Sequence, residues 1–327
     1  MVANWLKNRL VSYFLARALV LGLDFGGSKI AAAVADATGR RLAESTVATD
    51  PARGARWNLE LGIDAARTLL GKASGDGALA SVGACTFGIP APDRVVLAPA
   101  IAGWETLALR DELSEALRCD VVRVATDVKA AAAVEAKFGA LAGHDPAIYV
   151  NLGTGLAIAL VVGGRVVVGA NGAAGEIAYS VPRVAGSGVM LEDVVSGGAL
   201  AASARAATGL ELTAADVFAG EPEDPRLREI VDAFLAELAF HLVNLTVAID
   251  PSRIVVGGGM VKSWSRLERP LRDALEEHVP FPPELVPAAS PYDAVLAGAI
   301  QLAVDALQED GRQLIFATEP STKEASA

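Results

Sequence analysis

Ala18–Val34 reads ALVLGLDFGGSKIAAAV, and Ala147–Val162 reads AIYVNLGTGLAIALVV. Each is an apolar run, a glycine turn and a second apolar run, which is the pattern of a β-hairpin. The first predicts a strand over Ala18–Asp24, a turn at Gly26–Gly27 and a returning strand over Ile30–Val34. A polar turn at Asp36–Arg41 then leads to a third strand, Leu42–Val47. The second pairs Ala147–Leu152 with Leu156–Val162 across Gly153–Gly155, and Gly163–Gly164 turns the chain into Arg165–Gly169. One such unit in each half marks a duplicated core. A solenoid would instead repeat with a short period throughout.

The stretches between them alternate. Helical spacing covers Asn58–Lys72, Leu107–Cys119, Ala130–Gly139 and Phe234–Ala248. Short apolar strands cover Val82–Gly88, Val121–Ala125 and Arg253–Val256, and Met260–Leu267 can start a helix. This order gives an α/β fold.

The chain has 327 residues, 52% of them hydrophobic and only 5% aromatic, so its cores are built from Ala, Val, Leu and Ile. A formal net charge of -11 with no long basic block disfavours nucleic acid as the main partner. It does not disfavour ATP, because a glycine-rich site with a metal ion binds polyphosphate locally. Two cysteines, Cys85 and Cys119, are too few for a disulfide framework and suit a cytoplasmic setting. The segment Met1–Leu21 is interrupted by Lys7, Arg9 and Arg17 and fits neither a signal peptide nor a membrane span. Leu6, Leu10 and Phe14 share a helical face beside Trp5 and Tyr13, so residues 1–17 are expected to form an amphipathic helix. It would pack on the body or on a second subunit; an overextended start codon is the alternative. The polar end of the chain, residues 317–327, is expected to be disordered.

Asp24-Phe25-Gly26-Gly27-Ser28-Lys29 lies between two predicted strands, so it is neither a Rossmann fingerprint nor a Walker loop. Its glycines can still present N–H groups to a phosphate, Asp24 can hold Mg2+ through waters, and Ser28 and Lys29 add a hydroxyl and a positive charge. A plain hairpin turn is the competing reading. Gly153-Thr154-Gly155 repeats the arrangement, with the Thr154 hydroxyl as a donor. Gly257-Gly258-Gly259 follows a strand and lets a flat ring approach, which suits adenosine. Three glycine turns in this order, each after an apolar strand, point to a nucleotide. Asp127 closes the strand Val121–Ala125. It suits a general base that takes the proton of an attacking hydroxyl, or an N-cap of the following helix, or both. Glu135, two turns further on, reads as structural. Glu176, Tyr179 and Glu192 follow in glycine-rich loops, where carboxylates can accept hydrogen bonds from vicinal sugar hydroxyls. Solvated surface side chains are the alternative for each.

Together these motifs resemble the ROK family of the actin/hexokinase/Hsp70 superfamily, from about Val20 to about Leu307. Asp24–Ile30 is similar to that family's first phosphate motif, and Gly88–Pro92 with Ala98–Trp104 to its sugar loop. Thr126–Glu135 is similar to its catalytic-aspartate motif, Gly153–Gly155 to its second phosphate motif and Ile249–Gly259 to its adenosine segment. The resemblance implies two actin-like (ribonuclease H-like) ATPase domains flanking a cleft. One would comprise 18–125 with about 299–316 and the other 126–298. It also implies transfer of the ATP γ-phosphate to a hexose 6-hydroxyl with Mg2+, Asp127 as base, Glu176 and Glu192 on the sugar, and a homodimer. Closure of the domains would exclude water as a competing acceptor.

Several residues depart from the family pattern. Ala100 and Thr126 stand where relatives carry asparagines that look toward ring positions 3 and 4. Tyr179 replaces a histidine, and Ala185–Met190 lacks the cysteines of the family's zinc motif, so no zinc site is expected. Ala157 and Ala159 stand where glycine is usual. Loss of two amides near the sugar implies altered selectivity, with a glucose-like amino sugar such as kanosamine (3-amino-3-deoxyglucose) expected and glucose the alternative. A non-catalytic sugar sensor is a further alternative. A ROK repressor would need a helix-turn-helix before the body, for which the segment before Asp24 is too short.

Overall fold

The computed structural model describes residues 17–73, 77–183, 188–289 and 293–317, the last seven by backbone alone. The helix expected at 1–17 lies outside them except for Arg17. The tail does so except for residue 317, and residues 185–187 of the cysteine-free loop also fall outside. The chain divides into two compact units, Met1–Ala130 with Val295–Ala327, and Ala131–Ala294.

In the first unit, β1 (Ala18–Phe25), β2 (Lys29–Asp36) and β3 (Arg41–Ala48) form an antiparallel meander. Helix α1 (Gly54–Ala73) returns the chain so that β4 (Ala78–Thr86) pairs parallel to β1. A small hairpin, β5 (Ile89–Pro90) with β6 (Val95–Val96), precedes α2 (Leu109–Leu117). Strand β7 (Val122–Thr126) then pairs parallel to β4. The sheet order is β3-β2-β1-β4-β7.

Helix α3 (Asp127–Phe138) leads into the second unit, where the scheme recurs. There β8 (Ala147–Leu152), β9 (Leu156–Val162) and β10 (Arg165–Val166) form the meander. Helices α4 (Gly197–Thr208), α5 (Ala214–Gly220) and α6 (Pro225–Ile249) precede β11 (Arg253–Gly257), which pairs parallel to β8. Helix α7 (Trp264–His278) connects it to β12 (Glu284–Pro287), giving the order β10-β9-β8-β11-β12. Parallel pairing requires such helical crossovers, whereas the meanders close through short turns. The last helix, α8 (Ala294–Ala317), belongs to the first unit from Val295 onward.

Strand periodicity decides what each face of the first sheet carries, since alternate side chains point to opposite sides. Leu21, Leu23, Phe25, Val82, Ala84 and Val122 face α1 and α2 and are buried in one core. Val20 faces α8 together with Ala31 and Ala33, where Ile300 and Val304 pack. Helix α8 lies so close that a Cβ on Gly83 would meet the Ala303 nitrogen at 2.7 Å, and one on Gly22 would meet the Ile300 side chain at 2.7 Å. Ser81 fixes the approach, its hydroxyl donating to the Ala303 carbonyl at 2.7 Å.

Among the described residues one helix, α6, is long and apolar enough to cross a membrane. Its Leu227, Val231, Phe234, Leu238 and Leu242 are buried in the core of the second unit, so packing accounts for much of that apolarity.

Candidate active site

The first unit gathers its expected residues where its parallel strands end. Asp24 of β1 is in register with Cys85 of β4, and Cys85 with Ala125 of β7. By alternation, Asp24 and Cys85 share the α8 face, and Asp127 follows two residues after Ala125. Two strand spacings separate Asp24 from Ala125, about 10 Å. Ligands of open parallel sheets bind at this carboxyl end. The electrostatics agree with that placement. Burial, with the Asp127 charge adding to it, pushes the Asp24 carboxyl up to about 7, and Lys29 opposes the rise only in part. The fully buried Cys85 thiol is pushed well up by burial and by the same two carboxylates. It donates weakly to the Val295 carbonyl at 3.6 Å.

Asp127 begins α3, and the Val128 N–H donates to its Oδ1 at 2.8 Å. The capping role falls to its neighbour: the Thr126 hydroxyl accepts the Lys129 N–H at 3.3 Å, three residues on. Thr126 is only 4% exposed. Beside Asp24, the turn Gly26–Lys29 closes through a Gly26 N–H to Lys29 carbonyl bond of 2.9 Å, and Gly27, Ser28 and Lys29 are exposed. Ala100 is also exposed and lies against this turn, 3.7 Å from where a Cβ on Gly27 would sit.

The second unit gathers the others. The carbonyls of Gly153 and Thr154 accept the N–H groups of Gly197 and Gly198 at 2.9 and 3.0 Å, which ties the second glycine turn to the start of α4. Ser196 caps that helix, its hydroxyl accepting the Ala199 N–H at 2.9 Å. Glu192 accepts the Leu156 N–H at 2.8 Å through Oε2, and a Cβ on Gly155 would reach the same oxygen at 2.5 Å. Glu176 lies just before, and Tyr179 in, a 3-10 turn, Ile177–Tyr179. The Leu191 N–H donates to the Ser180 carbonyl at 2.8 Å, so the turns carrying Glu176 and Glu192 are joined. Tyr179 is 46% exposed.

The triple glycine at the end of β11 is used mostly by the protein itself. A Cβ on Gly257 would strike the Tyr149 hydroxyl. Gly258, at φ +86, would drive one into the Leu152 carbonyl. Only Gly259 has nothing within 4 Å and keeps an open face. Asn151 belongs to no motif recognisable in the sequence. Its side chain lies against both glycine turns, 2.9 Å from a Cβ on Gly258 and 3.6 Å from one on Gly153. Its place, one residue before the end of β8, repeats that of Asp24 on β1, and the duplication was the available signal.

Glu135 is fully buried and its Oε2 accepts the Ala140 and Ala289 N–H groups at 2.7 and 3.3 Å, a structural carboxylate. A separate cavity of about 480 Å³, lined by Arg183, Asp193, Leu200, Phe234 and Glu237 among others, contains none of the expected site residues.

Known proteins resemble this chain in sequence and fold. The bifunctional enzyme NanE/NanK of Brucella melitensis is 30% identical over 317 residues, 92% of this chain and 57% of the relative. The chain thus spans little more than half the length of that relative. A ROK hexokinase from Thermus thermophilus superposes with a TM-score of 0.74 at 28% identity, covering 89% of this chain and 99% of that one. A ROK family glucokinase from Streptomyces griseus, solved with glucose and AMPPNP, gives 0.71 at 28% identity, covering 88% and 99%. The ROK family itself matches residues 20–306. This chain therefore belongs to the ROK family and has its actin-like, two-domain α/β fold.

Proposed function

We propose that the protein is an ATP-dependent sugar kinase in which Asp127 is the general base. The observation that carries this reading is the pair of carboxylates, Asp24 and Asp127, at the ends of parallel strands beside the exposed Gly26–Lys29 turn. In the reaction, Asp127 accepts the proton of the sugar hydroxyl as that oxygen bonds to the γ-phosphorus. The bond from phosphorus to the β–γ bridging oxygen breaks, and ADP leaves. Lys29 and the turn's N–H groups bind phosphate oxygens, and Thr154 and Gly155 are the second unit's own candidates for phosphate contact. Gly259 offers the open surface for the adenosine. Glu176 and Glu192 orient the sugar, with Tyr179 beside them. AMPPNP in the Streptomyces griseus glucokinase supports ATP as the donor.

The residues fit Mg2+. Among the described residues no three His, Cys, Asp or Glu side chains cluster as a metal site. Two oxygen donors whose charges oppose each other suit an ion that keeps its waters and shares phosphate oxygens. When bound, that ion neutralises charge on the transferring phosphoryl group. Asp24 is the residue that would hold it, through water.

For the acceptor, the reading is a glucose-like hexose phosphorylated at its 6-hydroxyl and altered at ring position 3, such as kanosamine. Ala100 has no polar side-chain atom, and Thr126 turns its hydroxyl to the cap of α3. Neither supplies the amide that the resemblance to the family pattern implies there. Glucose is the second reading, supported by the glucose complex of the Streptomyces griseus relative. A coupled ADP-release assay with kanosamine, glucose, N-acetylmannosamine and fructose separates them. Higher kcat/KM for kanosamine is expected, and equal or better turnover of glucose removes the amino-sugar reading. Absence of ADP release with every sugar would leave a sensor. A homodimer remains part of this reading, and analytical ultracentrifugation checks it.

A further inference from the structure

Two loops of the first unit are tied to the same end of α1. Thr49, just after β3, grips the Gly26–Lys29 turn twice: its hydroxyl donates to the Gly26 carbonyl at 2.8 Å and its N–H to the Ser28 carbonyl at 3.1 Å. The next residue is locked to α1. Asn58 accepts the Asp50 N–H at 2.9 Å, and its amide donates to the carbonyls of Asp50 and Gly54 at 2.8 and 2.7 Å. Asn58 is fully buried, and an amide so well satisfied there is a rigid anchor.

The second loop is Ala98–Gly103, which carries Ala100. The Ala55 N–H, in the first turn of α1, donates to the Ala102 carbonyl at 3.0 Å. Trp104 pins the far end of this loop. It is fully buried, its indole N–H donates to the Thr86 hydroxyl at 2.8 Å, and its ring packs 5.4 Å from Phe25 and 5.1 Å from Phe87. Phe25 is the residue after Asp24.

We propose that Thr49 is a positioning residue for phosphoryl transfer. By drawing the Gly26 and Ser28 carbonyls back toward α1, it turns the donor face of the Gly26–Lys29 turn outward. Through α1 it also holds that turn in register with the loop bearing Ala100. A carbonyl pointing out of such a turn would repel a phosphate, so the cost of losing the grip falls first on the nucleotide. The inference rests on the reading of this turn as a phosphate site.

The test compares Thr49→Val, which keeps shape and loses the hydroxyl, with Thr49→Ser, which keeps it. Lys29→Met serves as a control on the turn itself. Thr49→Val is expected to raise the KM for ATP about tenfold and the KM for sugar about threefold, with kcat changed less than about twofold. Thr49→Ser should restore both. Thr49→Ala serves if the valine variant does not fold. If Lys29→Met leaves nucleotide affinity unchanged, the phosphate reading of the turn is wrong whatever Thr49 does. If Lys29→Met weakens the nucleotide while Thr49→Val leaves the KM for ATP within about twofold, Thr49 is only a hairpin brace and the inference is overturned. A fall in melting temperature without the KM change, or one that serine does not rescue, overturns it too.

Discussion

The two halves share one sheet order and differ in what the sheet ends carry. In the first, the position one residue before the end of the opening strand is Asp24, and its parallel neighbour is Cys85. In the second, the same positions are Asn151 and Gly257. The first half therefore concentrates charge, with Asp127 beside Asp24 and one carboxyl displaced to about 7. The second keeps that location neutral and closely packed, with Tyr149 filling the space over Gly257. A duplicated fold thus carries unlike ends: a charged one in the first half and a neutral one with close backbone approach in the second. The fold is set by the pattern of apolar runs, and the chemistry by a few side chains at matching places.

The charged end of the first half is probed most sharply at Asp127. Asp127→Asn keeps the volume and removes the base, so turnover should fall about 10²- to 10⁴-fold while sugar affinity, followed by calorimetry, changes little. In the second half, Gly258→Ala should cost about 2–4 kcal/mol in denaturant unfolding, since its φ of +86 and the Leu152 carbonyl both resist a side chain. Gly259→Ala, with open space around it, should leave stability within about 0.5 kcal/mol and instead weaken nucleotide binding. Equal stability of these two alanine variants would show that the glycines are not divided between packing and ligand.

Asp24 gives a pH signature that Asn151, at the matching place in the second half, lacks. Its folded value near 7 lies above the ordinary 3.8. Between those values the folded chain holds a proton that the unfolded chain has released. This group therefore lowers stability as pH rises from about 4 to about 7, by at most about 1.4 kcal/mol per pH unit. Without Mg2+ or nucleotide, Asp24→Asn should melt higher than the wild type at pH 8. The gap should close as pH falls toward 4, and the variant should lose activity. The smallest effect is expected at Gly155→Ala. Its Cβ would displace the Glu192 carboxylate from the Leu156 N–H, raising the KM for both sugar and ATP about fivefold with little change in melting temperature.

Most of the strand framework was legible because period-2 apolar runs and glycine turns are local signals. β8 and β9 match the expected spans, whereas Arg165–Gly169 shortens to the two residues of β10. Helices were harder to bound. α6 begins at Pro225, nine residues before Phe234, under an Asp224 cap whose side chain accepts the Arg226 N–H. α7 runs through Pro270, a residue that normally argues against a helix interior. α8 leaves little trace in the sequence, because the face it lays on the sheet is built from small residues such as Ala299 and Ala303, which flatten the hydrophobic pattern. At the site, the residue types and their order were readable but their partners were not. That Thr126 rather than Asp127 caps α3, and that Gly257 and Gly258 are filled by Tyr149 and Leu152, are tertiary facts. Asn58 and Thr49 carried no signal either, since buried polar anchoring is visible only once the loops are placed.

The most direct measurement is a crystal structure with the sugar and a non-hydrolysable ATP analogue bound together. The account predicts the Asp127 carboxylate within about 3 Å of the accepting hydroxyl, which in turn faces the γ-phosphorus, with that phosphate next to the Gly26–Lys29 turn. A carboxylate directed away from the hydroxyl, or a nucleotide whose phosphates lie away from that turn, would contradict it.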